Sequence, residues 1–398
     1  MKILQILPKI PYPPTDGHKK SMWGIIKHLS NKGHEIDIIA YKQNQNYEQY
    51  LKEINNFARL FVVDVHTKNK LSGAVINLFS NVPYNLSKYQ TKEFENYLTS
   101  HLSKHNYDII HITNAHMGWV IDIVREITKT PIVLREENFE LTIMERYYKN
   151  QTNFLLKIYA YLQYKKFLEY EPALCSKFDK CIMMSREDEL RLKELNPEAK
   201  TKVIPLGIDT ELLNIERTEA EKYSLVHVGS LDWYPNYDGL KWFVNKIFPL
   251  VVKRSNEVKL YLYGGGITKN FYFPESVKGN IIVKGFVNNI WEDVKNKSLA
   301  VVPLRIGSGI RVKILEMLAS GINVITTSLG KEGIPAEDEK ELLIADAEEK
   351  FAEKIIDYFN GNYDKMNLTE NGKKLIKENF LWDKVAEQFE LTYKELIT

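Results

Sequence analysis

Residues 302–321 read VPLRIGSGIRVKILEMLASG. An apolar strand end runs into Gly-Ser-Gly, and then Ile310, Ile314, Leu315 and Leu318 recur at helical spacing. The unusual feature is the head of that helix, where Arg311, Lys313 and Glu316 interrupt an otherwise apolar pattern. Strand, glycine turn and amphipathic helix in that order predict one unit of a parallel sheet. Such sheets bind ligands at the carboxyl ends of their strands, so the three charges fall where a ligand is expected.

The same rhythm extends in both directions. Short apolar runs at 2–7, 34–41, 59–65, 107–113, 131–136 and 180–185 predict strands of a first series, with helical patterns over 19–31, 88–104 and 117–129 between them. A second series follows at 224–230, 259–266, 280–285, 299–304, 322–327 and 341–345. Alternation of this kind predicts an α/β protein with parallel sheets covered on both faces. Two series predict two Rossmann-like, doubly wound domains facing a central cleft. The turn chemistry of KVIPLGIDT (202–210) sets the boundary: residues 1–205 form the first domain and 206–380 the second. The amphipathic segment 381–398 is expected to pack back on the first. Segment 139–170 reads as one long helix dense in Tyr, Leu and Lys, open to two readings: an interfacial surface for lipid or acceptor, or a sheet-packing helix with its lysines in water.

Composition narrows the class. The chain has 398 residues, 44% hydrophobic and 27% charged, and a net charge of only +2 whose positive excess lies in the first half. That balance excludes a nucleic-acid partner, which calls for clustered Lys and Arg. Cys175 and Cys181 supply neither a disulfide framework nor a metal quartet, as expected of a cytoplasmic protein. The opening MKILQILPKIPYPP is too short in apolar residues for a secretory signal, and no run is long enough to span a bilayer. At most a peripheral contact with the inner membrane leaflet is expected.

The chemistry expected at 307–316 is anion binding. A helix N-terminus offers unpaired N–H groups and a partial positive charge, and glycines let a ligand approach the backbone. Lys313 and Glu316, three apart, share a helix face, so an anion and a polyol could be held together there. The bland alternative is a surface helix with an i, i+3 ion pair.

Further motifs decide between these. VHVGSLDWYPNYDGLKWF (226–243), LYGGG (262–266), VKGFV (283–287) and LGKEGI (329–334) surround the quoted stretch, and PYPPTDGHKK and GHEIDI open the first half. In this order they resemble the retaining nucleotide-sugar glycosyltransferases of the GT-B fold, a family 4-like, group 1 set that includes sucrose synthases and bacterial mannosyltransferases. The resemblance spans nearly the whole chain. It implies that Glu316 holds the donor ribose, that Gly17 turns its backbone to the donor phosphate, and that His116 touches the sugar near the reacting carbon. It further implies that Phe286 and Val287, after Gly285, read the base, that Gly229, Ser230, Ser308, Gly309 and Ile310 line the donor site, and that Arg311 and Lys313 act on the departing diphosphate. REENFE (135–140) is similar to an R-x-H-N-x-E segment of one branch, which places Glu137 and Asn138 near the acceptor.

Two departures stand out. Ser308 occupies the position of the first of two glutamates that the family usually carries, and Gly229 is followed by Ser230 rather than Arg. Arg311 and Lys313 are expected to replace that missing positive charge. The activity implied is metal-independent, retaining transfer of a hexose from a UDP- or GDP-linked sugar to a glycan or lipid-linked acceptor, in surface polysaccharide synthesis and without a cofactor. Alternatives are a catalytically silent sugar-nucleotide-binding scaffold and a GT-B-fold epimerase. A nicotinamide oxidoreductase is disfavoured, because LYGGGITKN lacks the full Gly-x-Gly-x-x-Gly spacing.

Overall fold

KILQIL at residues 2–7 has Ile3, Leu4, Ile6 and Leu7 all fully buried. A strand apolar on both faces needs a layer on each side, the requirement of a parallel sheet. In the computed structural model, which describes every residue except 44, 66, 68, 218, 267–270 and 398, this strand is central to the first of two sheets.

That sheet contains β1 (Lys2–Leu7), β2 (Glu35–Tyr41), β3 (Arg59–Val63), β4 (Ile109–Thr113), β5 (Ile132–Glu136), β6 (Lys180–Met183) and β7 (Thr201–Val203), in the order β3-β2-β1-β4-β5-β6-β7. All of its pairings are parallel, with Ile3 opposite Ile36 on one side and Ile109 on the other. The second sheet contains β8 (Glu221–Val228), β9 (Lys259–Tyr263), β10 (Ile281–Gly285), β11 (Lys297–Val302), β12 (Asn323–Thr326) and β13 (Leu343–Ile344), ordered β10-β9-β8-β11-β12-β13 and again parallel. Each sheet reverses its strand order once, between β1 and β4 and between β8 and β11. Loops leaving adjacent strands part company there and open a crevice for ligand.

The chain divides into two units: Met1–Gly207 together with the segment from Trp382 onward, and Ile208–Leu381. The C-terminal helix Trp382–Ile397 packs on the helix Gly17–Asn31 of the first unit. Trp382 is its anchor. A Cβ built on Gly24 would lie 1.9 Å from the indole, and one on Gly207 2.2 Å from it, so two glycines make the slot that receives the ring. His28 stacks on the indole at 5.6 Å. Deeper in, Tyr393 Oη lies 2.5 Å and Gln5 Nε2 3.3 Å from His111 Nδ1, tying the helix to β1 and β4. Arg135, fully buried, donates to the carbonyls of Ile204 (3.0 Å) and Pro205 (3.2 Å) and lies over the Phe389 ring.

One element differs from the sequence reading. Residues 139–170 are not one helix but two, Glu140–Asn150 and Phe154–Cys175. Asn150, Thr152 and Asn153 are poor helix formers, and the Asn153 side chain accepts from Leu156 N at 3.1 Å, capping a new start.

Candidate functional site

In the second unit the predicted residues collect at the β8/β11 switch point. The loop after β11 turns on Gly307 (φ 128°) and Gly309 (φ 75°), conformations that side chains with a Cβ strongly disfavour. Arg311 is the N-cap residue of the helix Val312–Ala319, and its guanidinium folds back, Nη1 donating to the carbonyls of Ser308 and Gly309. A Cβ on Gly307 would meet Nη2 at 2.9 Å. Arg311 therefore shapes the loop as well as charging it. This refines the sequence reading, which treated its charge alone.

Lys313 is the cation that reaches the end of β8. Its Nζ donates to Asn236 Oδ1 at 2.9 Å, and a Cβ on Gly229 would fall 2.6 Å from it. Gly229 is glycine because the ammonium occupies the space that a side chain would take. Asn236 Nδ2 in turn donates to the Ser230 carbonyl at 2.8 Å, so one amide links the β8 loop to the helix after β11. Burial first, then repulsion from Arg311, push the Lys313 pKa down to about 7, with Glu316 pulling it back up. Behind it His227, on β8, donates from Nδ1 to the Val301 carbonyl at 3.0 Å, while its buried Nε2 has no partner among the described residues. Burial and then Lys313 lower the His227 pKa to about 3, so the ring is neutral.

Glu316 lies one turn along the same helix and is half-buried. Ser308 is buried in the loop. Ile310 is buried as well, so its side chain belongs to the interior and only its backbone remains for a ligand. Phe286 and Val287 follow Gly285 at the carboxyl end of β10. That is the same sheet edge as Gly229 but an outer strand; Phe286 is 69% exposed and Val287 half-buried.

The first unit has its own cluster at the β1/β4 switch point. Gly17 opens the helix Gly17–Asn31 and is exposed, with Asp16 capping it by accepting from Lys19 N at 2.9 Å. Burial pushes the Asp16 carboxyl up, but Lys9 and the Lys19 amide outweigh this and leave it below its ordinary value. Across the crevice Asn114 holds φ 68° and ψ 150°, a conformation costing about 1–3 kcal/mol outside glycine. Its Oδ1 accepts from Glu137 N at 3.3 Å, and its Nδ2 lies 2.9 Å from His18 Nε2. Glu137 Oε2 is 3.0 Å from that same nitrogen. An Nε2 lone pair at this place accepts from Asn114, and an Nε2–H donates to Glu137.

His116 sits in the single turn Ala115–Gly118 after β4, whose first amide donates to Glu136 Oε2 at 3.0 Å. Its ring meets Tyr89 edge-on at 5.1 Å, and its Nδ1 is buried without a partner among the described residues. Burial, then His18, Lys88 and Lys9, drive its pKa down to about 3. His116 is therefore a neutral hydrogen-bonding group, not a cation. Glu137 is 3% exposed and turned to His18; Asn138 beside it is half-buried. His18, Asn114 and His227 escaped the sequence reading. His18 and Asn236 stand at helix starts, a position that signals capping as readily as chemistry.

Among the described residues no three His, Cys, Asp or Glu side chains gather to hold a metal ion. Among the same residues no helix is long and apolar enough to cross a membrane.

Two parallel α/β sheets are the architecture of GT-B glycosyltransferase structures. Residues 15–212 match the family model described as Glycosyltransferase Family 4, and residues 222–360 the one described as Glycosyl transferases group 1. The chain belongs to this glycosyltransferase family. It is similar, at 24% identity over 99% of both chains, to an uncharacterized 44.6 kDa protein in the cps region of Klebsiella pneumoniae. Among solved structures it resembles sucrose-phosphate synthase of Thermosynechococcus elongatus, with TM-score 0.74, 16% identity and 100% and 99% of the two chains covered. It also resembles Anabaena HepE in complex with UDP-glucose, with TM-score 0.68, 13% identity and 99% and 100% covered.

Proposed function

We propose that the protein transfers a hexose with retention of configuration from a nucleoside-diphosphate sugar to a glycan or lipid-linked acceptor, without a metal ion. The observation that carries the reading is Lys313, an ammonium at the head of a helix, beside a glycine at the end of β8. As the bond from the sugar to the diphosphate breaks, negative charge grows on the leaving phosphate. Lys313, the first-turn amides and Arg311 would stabilise that charge, an effect of roughly 3–4 kcal/mol per well-placed donor. Glu316, on the same helix face, would hold the ribose hydroxyls. Neutral His116 would hydrogen-bond the sugar and leave the charge balance to the phosphate side. The relative encoded in a cps region favours surface polysaccharide as the setting.

Thermal shift with UDP, GDP, ADP and dTDP tests the donor site. A nucleotide at about 100 times its dissociation constant stabilises by roughly 2.7 kcal/mol. One nucleotide should raise the melting temperature, UDP being the first tried, and Glu316→Ala should abolish the rise. No shift with any of the four, on folded protein, would sink the reading and favour a silent scaffold. Proton NMR of the glycoside formed from the matching sugar nucleotide then reports retention or inversion. His116→Ala should lower kcat by about 10²-fold or more while leaving the nucleotide shift intact.

A further inference from the structure

The helix Leu71–Asn77, the turn just after it and the first turns of the helix Phe154–Cys175 carry large apolar side chains in water. Phe79 is 93% exposed and Leu71 86%, while Leu155 is 75% and Ile76 and Phe154 each 72% exposed. Single exposed leucines are ordinary, but these are gathered. Asn77 joins the two segments: its Nδ2 donates to Val82 O (2.8 Å), while its Oδ1 accepts from Gln163 Nε2 (3.2 Å) and Lys166 Nζ (3.2 Å). Gln163 Oε1 also receives Tyr84 N at 2.8 Å, and Tyr84 Oη bonds the backbone of Lys70. The apolar side chains thus stand on one braced platform within the first unit rather than on a loose arm.

Within the two stretches of chain that carry this platform the charge has one sign. Between Asp64 and Glu93 the sequence has no carboxylate, and between Glu145 and Glu169 it again has none. The second interval carries Arg146, Lys149, Lys157, Lys165 and Lys166, and the first carries Lys70 and Lys88 near the exposed apolar residues. A protein-binding surface of mixed charge would not require such exclusion of acid. An apolar face carried on segments whose only charges are cations complements an anionic lipid surface, where the side chains enter the headgroup boundary and the lysines meet phosphates.

We infer that this platform, Leu71, Ile76 and Phe79 with Phe154, Leu155 and their flanking lysines, docks the protein on an anionic membrane surface. The docking would bring the first unit to lipid-borne material without a spanning helix. It does not depend on which nucleotide the second unit binds.

Sedimentation with liposomes tests it. The full chain should pellet with vesicles of phosphatidylcholine containing about a third phosphatidylglycerol and remain in solution with phosphatidylcholine alone. High salt should weaken the binding. Phe79→Ser/Leu155→Ser should lose at least tenfold in vesicle affinity with an unchanged melting temperature and unchanged nucleotide shift. Lys157→Glu/Lys165→Glu should lose the anionic-lipid preference while keeping the apolar face intact, so that the two parts of the surface are read separately. Absence of pelleting with anionic vesicles overturns the inference. So does self-association of the wild type, seen by sedimentation velocity and abolished by Phe79→Ser/Leu155→Ser, since a second copy would then be the occupant.

Discussion

Lys313→Met is expected to lower nucleotide affinity on the order of a hundredfold, about 3 kcal/mol for a lost charge-assisted contact, while leaving the protein as stable or more so. The two halves of this result share one cause. Lys313 is half-buried and crowded by Arg311, with its pKa near 7, well under the 10.5 of a free lysine. An unfolded chain binds that proton more readily, so folding is opposed by this group at neutral pH. Stability due to Lys313 should therefore rise as pH increases from about 7 towards 10.5, and Lys313→Met should remove that slope. Affinity runs the other way. Above pH 7 the ammonium is increasingly neutral before ligand arrives, and binding must recruit a proton. Affinity for the matching nucleoside diphosphate should fall up to about tenfold per pH unit above 7 in the wild type, measured by calorimetry, and lose this dependence in Lys313→Met. A variant that binds as tightly as the wild type would remove Lys313 from the donor site. One that also melts several degrees lower would show that the lysine is structural.

The second large effect is expected far from any ligand. Trp382→Ala should destabilise the first unit by about 3–5 kcal/mol, the cost of emptying a buried indole site. Gly24→Ala should cost a comparable amount by the opposite route, because its new methyl would sit 1.9 Å from the indole and must expel it. Each removes the anchor of the C-terminal helix, and with it the support that Tyr393 and Phe389 give to His111 and Arg135. The double variant Gly24→Ala/Trp382→Ala should be no worse than Trp382→Ala alone, because the methyl then enters vacated space. Chemical denaturation followed by tryptophan fluorescence and far-UV circular dichroism measures all three. Additive losses in the double variant would contradict the slot as described.

Much of this molecule was legible in one dimension. Strands such as 2–7 and 299–304 declare themselves because a parallel strand covered on both faces is an unbroken apolar run, and helices between them repeat at 3.6 residues. The head of the helix Val312–Ala319 was legible because charges interrupt an apolar helix start directly after Gly307 and Gly309. The break between Asn150 and Phe154 was not, since the helical pattern of apolar residues continues across it and only the Asn153 cap interrupts.

What the sequence determined by itself is therefore whatever depends on near neighbours: the alternation of elements, the glycine turn, and the positions of Arg311, Lys313 and Glu316 at one helix end. The tertiary structure alone decided what those groups meet. Arg311 turns onto its own loop, and Lys313 crosses to Asn236, seventy-seven residues away in the chain. His18 meets Glu137 and Asn114, and Glu137 is buried. The physical reason is that protonation and charge depend on burial and on partners distant in sequence. Lys313 and His116 take pKa values near 7 and 3 from their surroundings, and no local pattern of residue types encodes those surroundings.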